Sequence, residues 1–248
     1  MKALWVLLAL VSLLSCTLYA QDVPLVKTGP RELEFGNLHW RMKSSLTPTA
    51  PGPNYFRGTE DAVWVDDWGL HLTIQEQQGT WWATEIFTRE RVGYGTYTFT
   101  VETDIQQYDP NVVAGFFTWD TAPQEYNREI DIEFAAWGQP SGTLFQYVVQ
   151  PYADPSRIFV FKPALNGNVT THRIVWTADG VTFSSYHGSV DPDQMESSTM
   201  LIKQWHHRPS PTEGKVRFRI NFWLYQGTIP VRPAHMVITS FSFVPHRP

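Results

Sequence analysis

Beyond its first twenty residues the chain has no convincing stretch of helical periodicity and instead alternates apolar and polar residues in short runs. The clearest run is Gly95–Glu102, where Tyr97, Phe99 and Val101 fall on one side and Thr96, Thr98, Thr100 and Glu102 on the other. That period of two marks a strand with one buried face. The same pattern predicts strands over Leu70–Glu76, Trp81–Thr88, Val112–Trp119, Glu129–Ala135 and Leu144–Tyr152. Four more are expected at Thr171–Trp176, Val181–Tyr186, Val216–Leu224 and Met236–Val244. Turn chemistry separates them: Pro48 to Pro53, Asp109-Pro110-Asn111, Gly138 to Gly142, Asn166-Gly167-Asn168 and Asp179-Gly180. Asp179-Gly180 predicts a tight hairpin, since both residues tolerate positive φ. Many short strands joined by such turns imply an all-β, two-sheet antiparallel β-sandwich rather than βαβ units. With no repeat and no long linker, residues 21–248 are expected to form a single domain.

Composition narrows the class. Hydrophobic residues make up 42% and charged residues 17% of the 248, which allows a large core and argues against global disorder. The 11 Trp exceed what aliphatic packing needs, and flat rings with a polar edge suit sugars as well as cores. A net charge of −5 with no Lys/Arg cluster in the sequence argues against a nucleic-acid partner.

Residues 1–20 have the form of an export signal: Lys2, an apolar run from Ala3 to Leu14, then small or polar residues. The run is too short to span a bilayer, which takes about 20 residues. Leu18-Tyr19-Ala20 offers a cleavage site before Gln21, and Leu13-Leu14-Ser15-Cys16 partly resembles a bacterial lipoprotein box. The expected location is therefore periplasmic or extracellular, with lipid anchoring through Cys16 as the other route. Cys16 is the single cysteine, so the mature domain has no disulfide.

The segment Asn127-Arg128-Glu129-Ile130-Asp131-Ile132-Glu133-Phe134 carries the chemistry. In a strand, Glu129, Asp131 and Glu133 share one face with Asn127, while Ile130, Ile132 and Phe134 anchor the other in the core. Three carboxylates in a row repel one another, which raises at least one pKa. A retaining glycosidase needs that condition, with one carboxylate ionised as nucleophile and one carboxyl protonated as acid. Glu129 and Glu133 lie roughly 13 Å apart along an ideal strand, whereas the reacting carboxyl groups of retaining enzymes are about 5–5.5 Å apart. Strand twist and side-chain reach have to close that gap.

Glu-Ile-Asp-Ile-Glu-Phe resembles the catalytic motif of the family-16 glycoside hydrolases, which include lichenases, laminarinases and xyloglucan endotransglycosylases. Gly93-Tyr94-Gly95-Thr96-Tyr97, Ala114 to Trp119, His172 to Trp176, Asn221-Phe222-Trp223 and Pro51 to Phe56 extend the likeness over most of the chain. The resemblance implies a β-jelly roll with a concave, aromatic-lined cleft. It implies Glu129 as nucleophile, Asp131 as assisting carboxylate and Glu133 as acid/base. No residue is inserted in the motif, as in the regular strand of lichenases. Asn127 stands where many lichenase-like members carry Trp, so the sugar platform falls to Trp119 on the preceding strand. Trp119, Trp137 and Trp223 are the expected stacking residues, with Asn127 and Asn221 as further substrate contacts.

The implied activity is endo-hydrolysis of a β-linked polysaccharide, a β-1,3- or β-1,3-1,4-glucan by analogy, by a monomer without a cofactor. Some family members carry a structural calcium, although no dense Asp/Asn loop of EF-hand type occurs here. A carbohydrate-binding jelly roll without catalysis and a transglycosylase are the alternatives. His206-His207 and His235 lack the spacing of a metallohydrolase motif, and the His206-His207 pair is expected on a surface loop.

Overall fold

A computed structural model describes residues 31–246 apart from Ser141. The export segment 1–20 and Cys16 lie outside the described residues. The chain opens with β1 (Glu32–Phe35), β2 (Leu38–Met42), β3 (Ser45–Thr49), β4 (Asn54–Phe56) and β5 (Val63–Val65). There follow β6 (Leu70–Gln77), β7 (Thr80–Thr88), β8 (Gly95–Glu102), β9 (Val112–Trp119), β10 (Ile130–Ala135) and β11 (Leu144–Val149). The remainder are β12 (Ile158–Phe161), β13 (Val169–Thr177), β14 (Gly180–His187), β15 (Leu201–His207), β16 (Arg217–Leu224) and β17 (Ala234–Pro245). Helix is confined to short 3-10 segments among the described residues, and no described helix is long and apolar enough to cross a membrane.

Two antiparallel sheets result. One runs β1-β2-β7-β16-β9-β10-β11-β12, the other β5-β6-β17-β8-β13-β14-β15. The β6–β7 hairpin passes from one sheet to the other, pairing Gln75 with Trp82. Between the sheets lies the core that the alternation predicts. Tyr97, Phe99 and Val101 of β8 are fully buried, as are Phe116, Ile130, Ile132 and Phe134 from the facing sheet. Phe99 stacks on Phe116 at 4.1 Å between ring centroids, joining the two layers. Each ring of this kind contributes roughly 1.5–3 kcal/mol by leaving water.

Polar groups within the core find partners, as burial requires. His172, wholly buried, bonds Ser185 Oγ at 2.7 Å and Thr170 Oγ1 at 2.8 Å, and burial pulls its pKa down to about 3. It is a neutral packing residue. Trp176 Nε1 donates to the Pro211 carbonyl at 3.2 Å.

All ten expected strands are present, within a few residues of their expected ends. Three details differ. The β13–β14 hairpin turns on Ala178 and Asp179, and Gly180 is the first residue of β14, paired with Thr177. Gly180 is there for space, since a Cβ would sit 2.6 Å from the His207 carbonyl oxygen. His206 and His207 lie within β15 rather than on a loop, and His235 lies within β17. His207 is 4% exposed and its ring bonds the Ser156 carbonyl, while His235 bonds His71. Finally, β10 begins at Ile130 rather than Glu129.

Candidate active site

The outer face of the larger sheet is built in registered rows across β7, β16, β9, β10 and β11. One row reads Glu85, Asn221, Gly115, Glu133, Gln146. The next reads Phe87, Arg219, Phe117, Asp131, Val148. Arg217 and Trp119 begin the row beyond it, at the end of the sheet where Glu129 enters β10. Because strands alternate, every one of these side chains points away from the core.

Glu129 precedes β10, but its backbone is extended (φ −82°, ψ 121°) and its carbonyl accepts from Gln150 N at 3.0 Å. The alternation therefore holds through it, and the three acidic side chains share a face. Asn127 does not join them. It sits in the 3-10 segment Pro123–Arg128 with φ 59°, and its side-chain amide donates to the Asp120 carbonyl at 2.8 Å. The expected extension of the strand fails because Tyr126, Asn127 and Arg128 are all left-handed. Three consecutive non-glycine residues with positive φ are uncommon and need external support.

That support surrounds the turn. Arg128 Nη1 bonds Asp120 Oδ2 at 2.6 Å, its Nε donates to the Thr212 carbonyl at 2.9 Å, and its own carbonyl accepts from Thr118 Oγ1 at 2.7 Å. Asp120 N also donates to the Asn127 carbonyl at 2.8 Å. Gly214 leaves room for the arrangement: a Cβ there would lie 2.4 Å from Arg128 Cδ. The clamp fixes the backbone immediately before Glu129.

Two hollows open on either side of Glu129. One, of about 280 Å³, is lined by Lys43, Pro51, Glu85, Phe117, Trp119, Glu129, Arg219 and Asn221. The other, of about 210 Å³, is lined by Tyr126, Arg128, Glu129, Gln150, Arg157 and Thr212 among others. They share Glu129, while Asp131 and Glu133 line neither of them. Trp119 and Asn221 thus lie beside Glu129. Trp137 and Trp223 lie in the direction of Glu133, packed edge to face with each other at 6.2 Å, and Trp137 packs likewise on Tyr225 at 5.4 Å. Trp223 is only 9% exposed.

Each member of the triad is held above the usual carboxylate range by burial. Glu129 is pushed up to about 7 by desolvation; a hydrogen bond from Asp131 and the Arg219 charge oppose this. Glu133 also rises to about 7, through desolvation and then the charge of Glu129, with a hydrogen bond from Gln146 opposing. Asp131 is likewise held well above that range, through desolvation and then the charges of Glu129 and Glu133. The hydrogen bond between Asp131 and Glu129 favours the proton on Asp131. The surroundings of Glu129 and Glu133 differ in kind. Glu129 has a guanidinium nearby, whereas Glu133 has a neutral amide, with Gln146 Nε2 donating at 3.1 Å to its Oε2. Both nonetheless reach about 7, since the Glu85 charge opposes that of Arg219 at Glu129 and the Gln146 bond favours the ionised form of Glu133.

Several residues here were not singled out in the sequence. Glu85, 2% exposed, bonds Lys43 at 2.8 Å and Arg219 at 2.6 Å on the floor of the larger hollow. Gln146 bridges Glu133 to Trp137 Nε1, which donates to Gln146 Oε1 at 3.1 Å. The alternation of Val216–Leu224 does contain the signal for Arg219, which must share a face with Asn221. Glu85, Gln146 and the clamp depend on strand register and loop closure, which the sequence does not print.

No protein-family model and no curated protein matches the sequence. Solved structures do match. A Bacillus licheniformis β-glucanase is 16% identical, with 89% of this chain and 100% of that chain covered, at a TM-score of 0.59. A Bacteroides ovatus family-16 enzyme from a mixed-linkage-glucan locus, seen with a glucan product, is 12% identical over 85% and 98%, at 0.58. A protein of Mycobacterium tuberculosis described as an immunostimulatory antigen and pseudo β-1,3-glucanase is 13% identical over 84% and 91%, at 0.60. The chain has the jelly-roll fold of the family-16 glycoside hydrolases.

Proposed function

We propose that the protein is a retaining, endo-acting glycoside hydrolase that cleaves a β-linked polysaccharide by double displacement. The observation that carries this reading is the different setting of two carboxyl groups on one strand face, Glu129 beside a cation and Glu133 beside an amide. Glu129 attacks the anomeric carbon while the Glu133 carboxyl protonates the departing glycosidic oxygen, leaving a glycosyl ester on Glu129. Glu133, now a carboxylate, takes a proton from water, and the resulting attack on the anomeric carbon frees Glu129. Asp131 donates a hydrogen bond to Glu129 and limits the charge on the row. Hollows on both sides of Glu129 suit a chain that continues in both directions, hence endo cleavage. Trp119 offers a ring face for stacking, and Asn221 a contact for a sugar hydroxyl.

The substrate class follows from what the structural neighbours are called, β-glucanase and mixed-linkage-glucan enzyme, which makes a β-1,3- or β-1,3-1,4-linked backbone the first to test. A panel of such glucans with xyloglucan and agar-type galactans, assayed for reducing ends, tests the proposal. Release from at least one polymer, absent in Glu129→Gln, supports it; equal release by Glu129→Gln refutes it. A second reading, binding without hydrolysis, draws on the mycobacterial neighbour described as a pseudo-glucanase, since the fold alone does not make an enzyme. Binding on a glycan array with no product from any polymer favours that reading. Rates that fall in favour of sugar acceptors over water identify a transglycosylase.

A further inference from the structure

The outward side of β16 changes character along its length. Trp223 and Asn221 give way to Arg219 and then Arg217, so one part of the sheet face is neutral and aromatic and the other cationic. Arg41 of β2 stands beside Phe87 of β7, which stands beside Arg219, and Lys43 lines the hollow that holds Glu129. A chain of net charge −5 has gathered these cations on one end of one face.

The nearby carboxylates neutralise them only in part. Glu85 is shared between Lys43 and Arg219, and Glu32 between Arg41 and Arg89. Glu90 is engaged by His39 at 2.6 Å. Arg217 Nη1 donates to the Thr88 and Arg89 carbonyls, which carry no net charge. Lys43 and Arg219 are matched by Glu85 and Glu129. The excess of positive charge comes from Arg217 and from the sharing of Glu32 between Arg41 and Arg89. In a groove with low-dielectric walls such an excess attracts anions.

Arg219 has the geometry to receive one. Its Nη1 is tied to Glu85, and the guanidinium lies 4.7 Å from the Trp119 ring centre and 5.2 Å from that of Phe87. Its plane is therefore fixed, which favours side-on recognition of a planar or tetrahedral anion. Among the described residues Arg219 Nε is buried without an acceptor, and Asn221 Oδ1, on a residue 6% exposed, is buried without a donor. Groups left this way cost free energy until something satisfies them. A sugar hydroxyl supplies the donor Asn221 lacks; an acid group on the same or the next sugar supplies the acceptor Arg219 lacks.

We infer that the hollow lined by Trp119, Arg219, Lys43 and Asn221 is a subsite for a sugar bearing an anionic substituent, a carboxylate or a sulfate ester. The inference rests on the glycosidase reading and deepens it: the backbone is β-linked, and the unit beside the nucleophile is acidic. Lys43 and Arg219 together answer Glu85 and Glu129; Arg217 and the pair Arg41 and Arg89, which share Glu32, exceed that need and fit a charged substrate.

The test compares kcat/KM on neutral β-glucans and agarose with kcat/KM on β-linked polyuronates and sulfated galactans. Both sets are measured from about 0.05 to 0.5 M NaCl, a range that shortens the screening length severalfold. The expected result is preference for an acidic polymer, with rates that fall as salt rises. Arg219→Met then lowers kcat/KM on that polymer about 10- to 100-fold, mainly through KM, as the loss of a charge-assisted bond implies. Which anionic set is cleaved distinguishes carboxylate from sulfate. The salt dependence of the unaltered protein decides the matter even where Arg219→Met does not fold. Preferential, salt-insensitive cleavage of a neutral polymer, abolished in Glu129→Gln, would overturn the subsite and leave the hydrolase standing. Binding of an acidic oligosaccharide that Arg219→Met loses, with no polymer cleaved, would uphold the subsite and overturn the hydrolase.

Discussion

Gln146 Nε2 donates a 3.1 Å hydrogen bond to Glu133 Oε2, and Gln146 is itself held from the other side by Trp137 Nε1. The bond favours the ionised form of Glu133 and so restrains a pKa that burial has raised to about 7. Removing it in Gln146→Leu lets that pKa climb further. The acid then stays protonated to higher pH, so the basic limb of the kcat/KM profile moves upward. A pH–rate profile of the variant checks this; an unmoved or lowered limb refutes the role given to Gln146.

Raised carboxyl pKa values also bear on stability. Glu133 titrates near 4.5 unfolded and at about 7 folded. Below about pH 4.5 the group is protonated in both states; as pH rises through 7 the folded protein loses the advantage of holding that proton. Glu133→Gln removes the titration. The variant should match the parent near pH 3.5 and exceed it at pH 8 by on the order of 1–3 kcal/mol, with the two curves separating between. For a chain of this size that is about 2–4 °C in Tm for each kcal/mol, measurable by thermal scans at both pH values. A variant less stable at pH 8 contradicts the assigned burial cost.

Gly115 stands between Asn221 and Glu133 in its row because the Asn221 side chain lies over it. A Cβ at Gly115 would be 2.4 Å from Asn221 Oδ1. Gly115→Ala should fold and lose about tenfold or more in kcat/KM, as displacement of a positioned group does. In combination with Asn221→Ala it should add little, because both changes remove one interaction. Additive losses in the double variant would show that Gly115 acts apart from Asn221.

Asp120 and Arg128 hold the left-handed turn that delivers Glu129, through a 2.6 Å ion pair of which both members are largely buried. Arg128→Met should lower kcat by about 10- to 100-fold, since misplacement of a reacting group by about 1 Å costs that much. KM should change little, because the turn shapes one reacting residue rather than the sugar platforms. A variant impaired in KM alone would relocate Arg128 to substrate binding.

How far the sequence reveals this architecture depends on how local each feature is. Gly95–Glu102 is recovered with its exact ends because apolar and hydroxyl residues alternate cleanly along it, and Val112–Trp119 because a short apolar run is bounded by turn residues. β3 carries Pro48 and a mostly exposed face, and β4 and β5 have three residues each, so no alternation marks them. The carboxylate row is legible for the same reason as β8: strand geometry alone puts Glu129, Asp131 and Glu133 together. Glu85 and Gln146 reach that row through pairing across strands distant in sequence, and the clamp on Arg128 reaches 84 residues along the chain to Thr212. Asn127 was misplaced because nothing in a single sequence announces three left-handed residues without glycine.

The division of labour between Glu129 and Glu133 is tested most directly by the anomer formed first. Proton NMR of a polymer that the protein cleaves, recorded within the first minutes of digestion, resolves the new reducing ends before they mutarotate. The account predicts that the β-anomer appears first and the α-anomer grows in later, as two displacements require. The α-anomer appearing first would mean a single displacement by water, and Glu129 would not be the nucleophile.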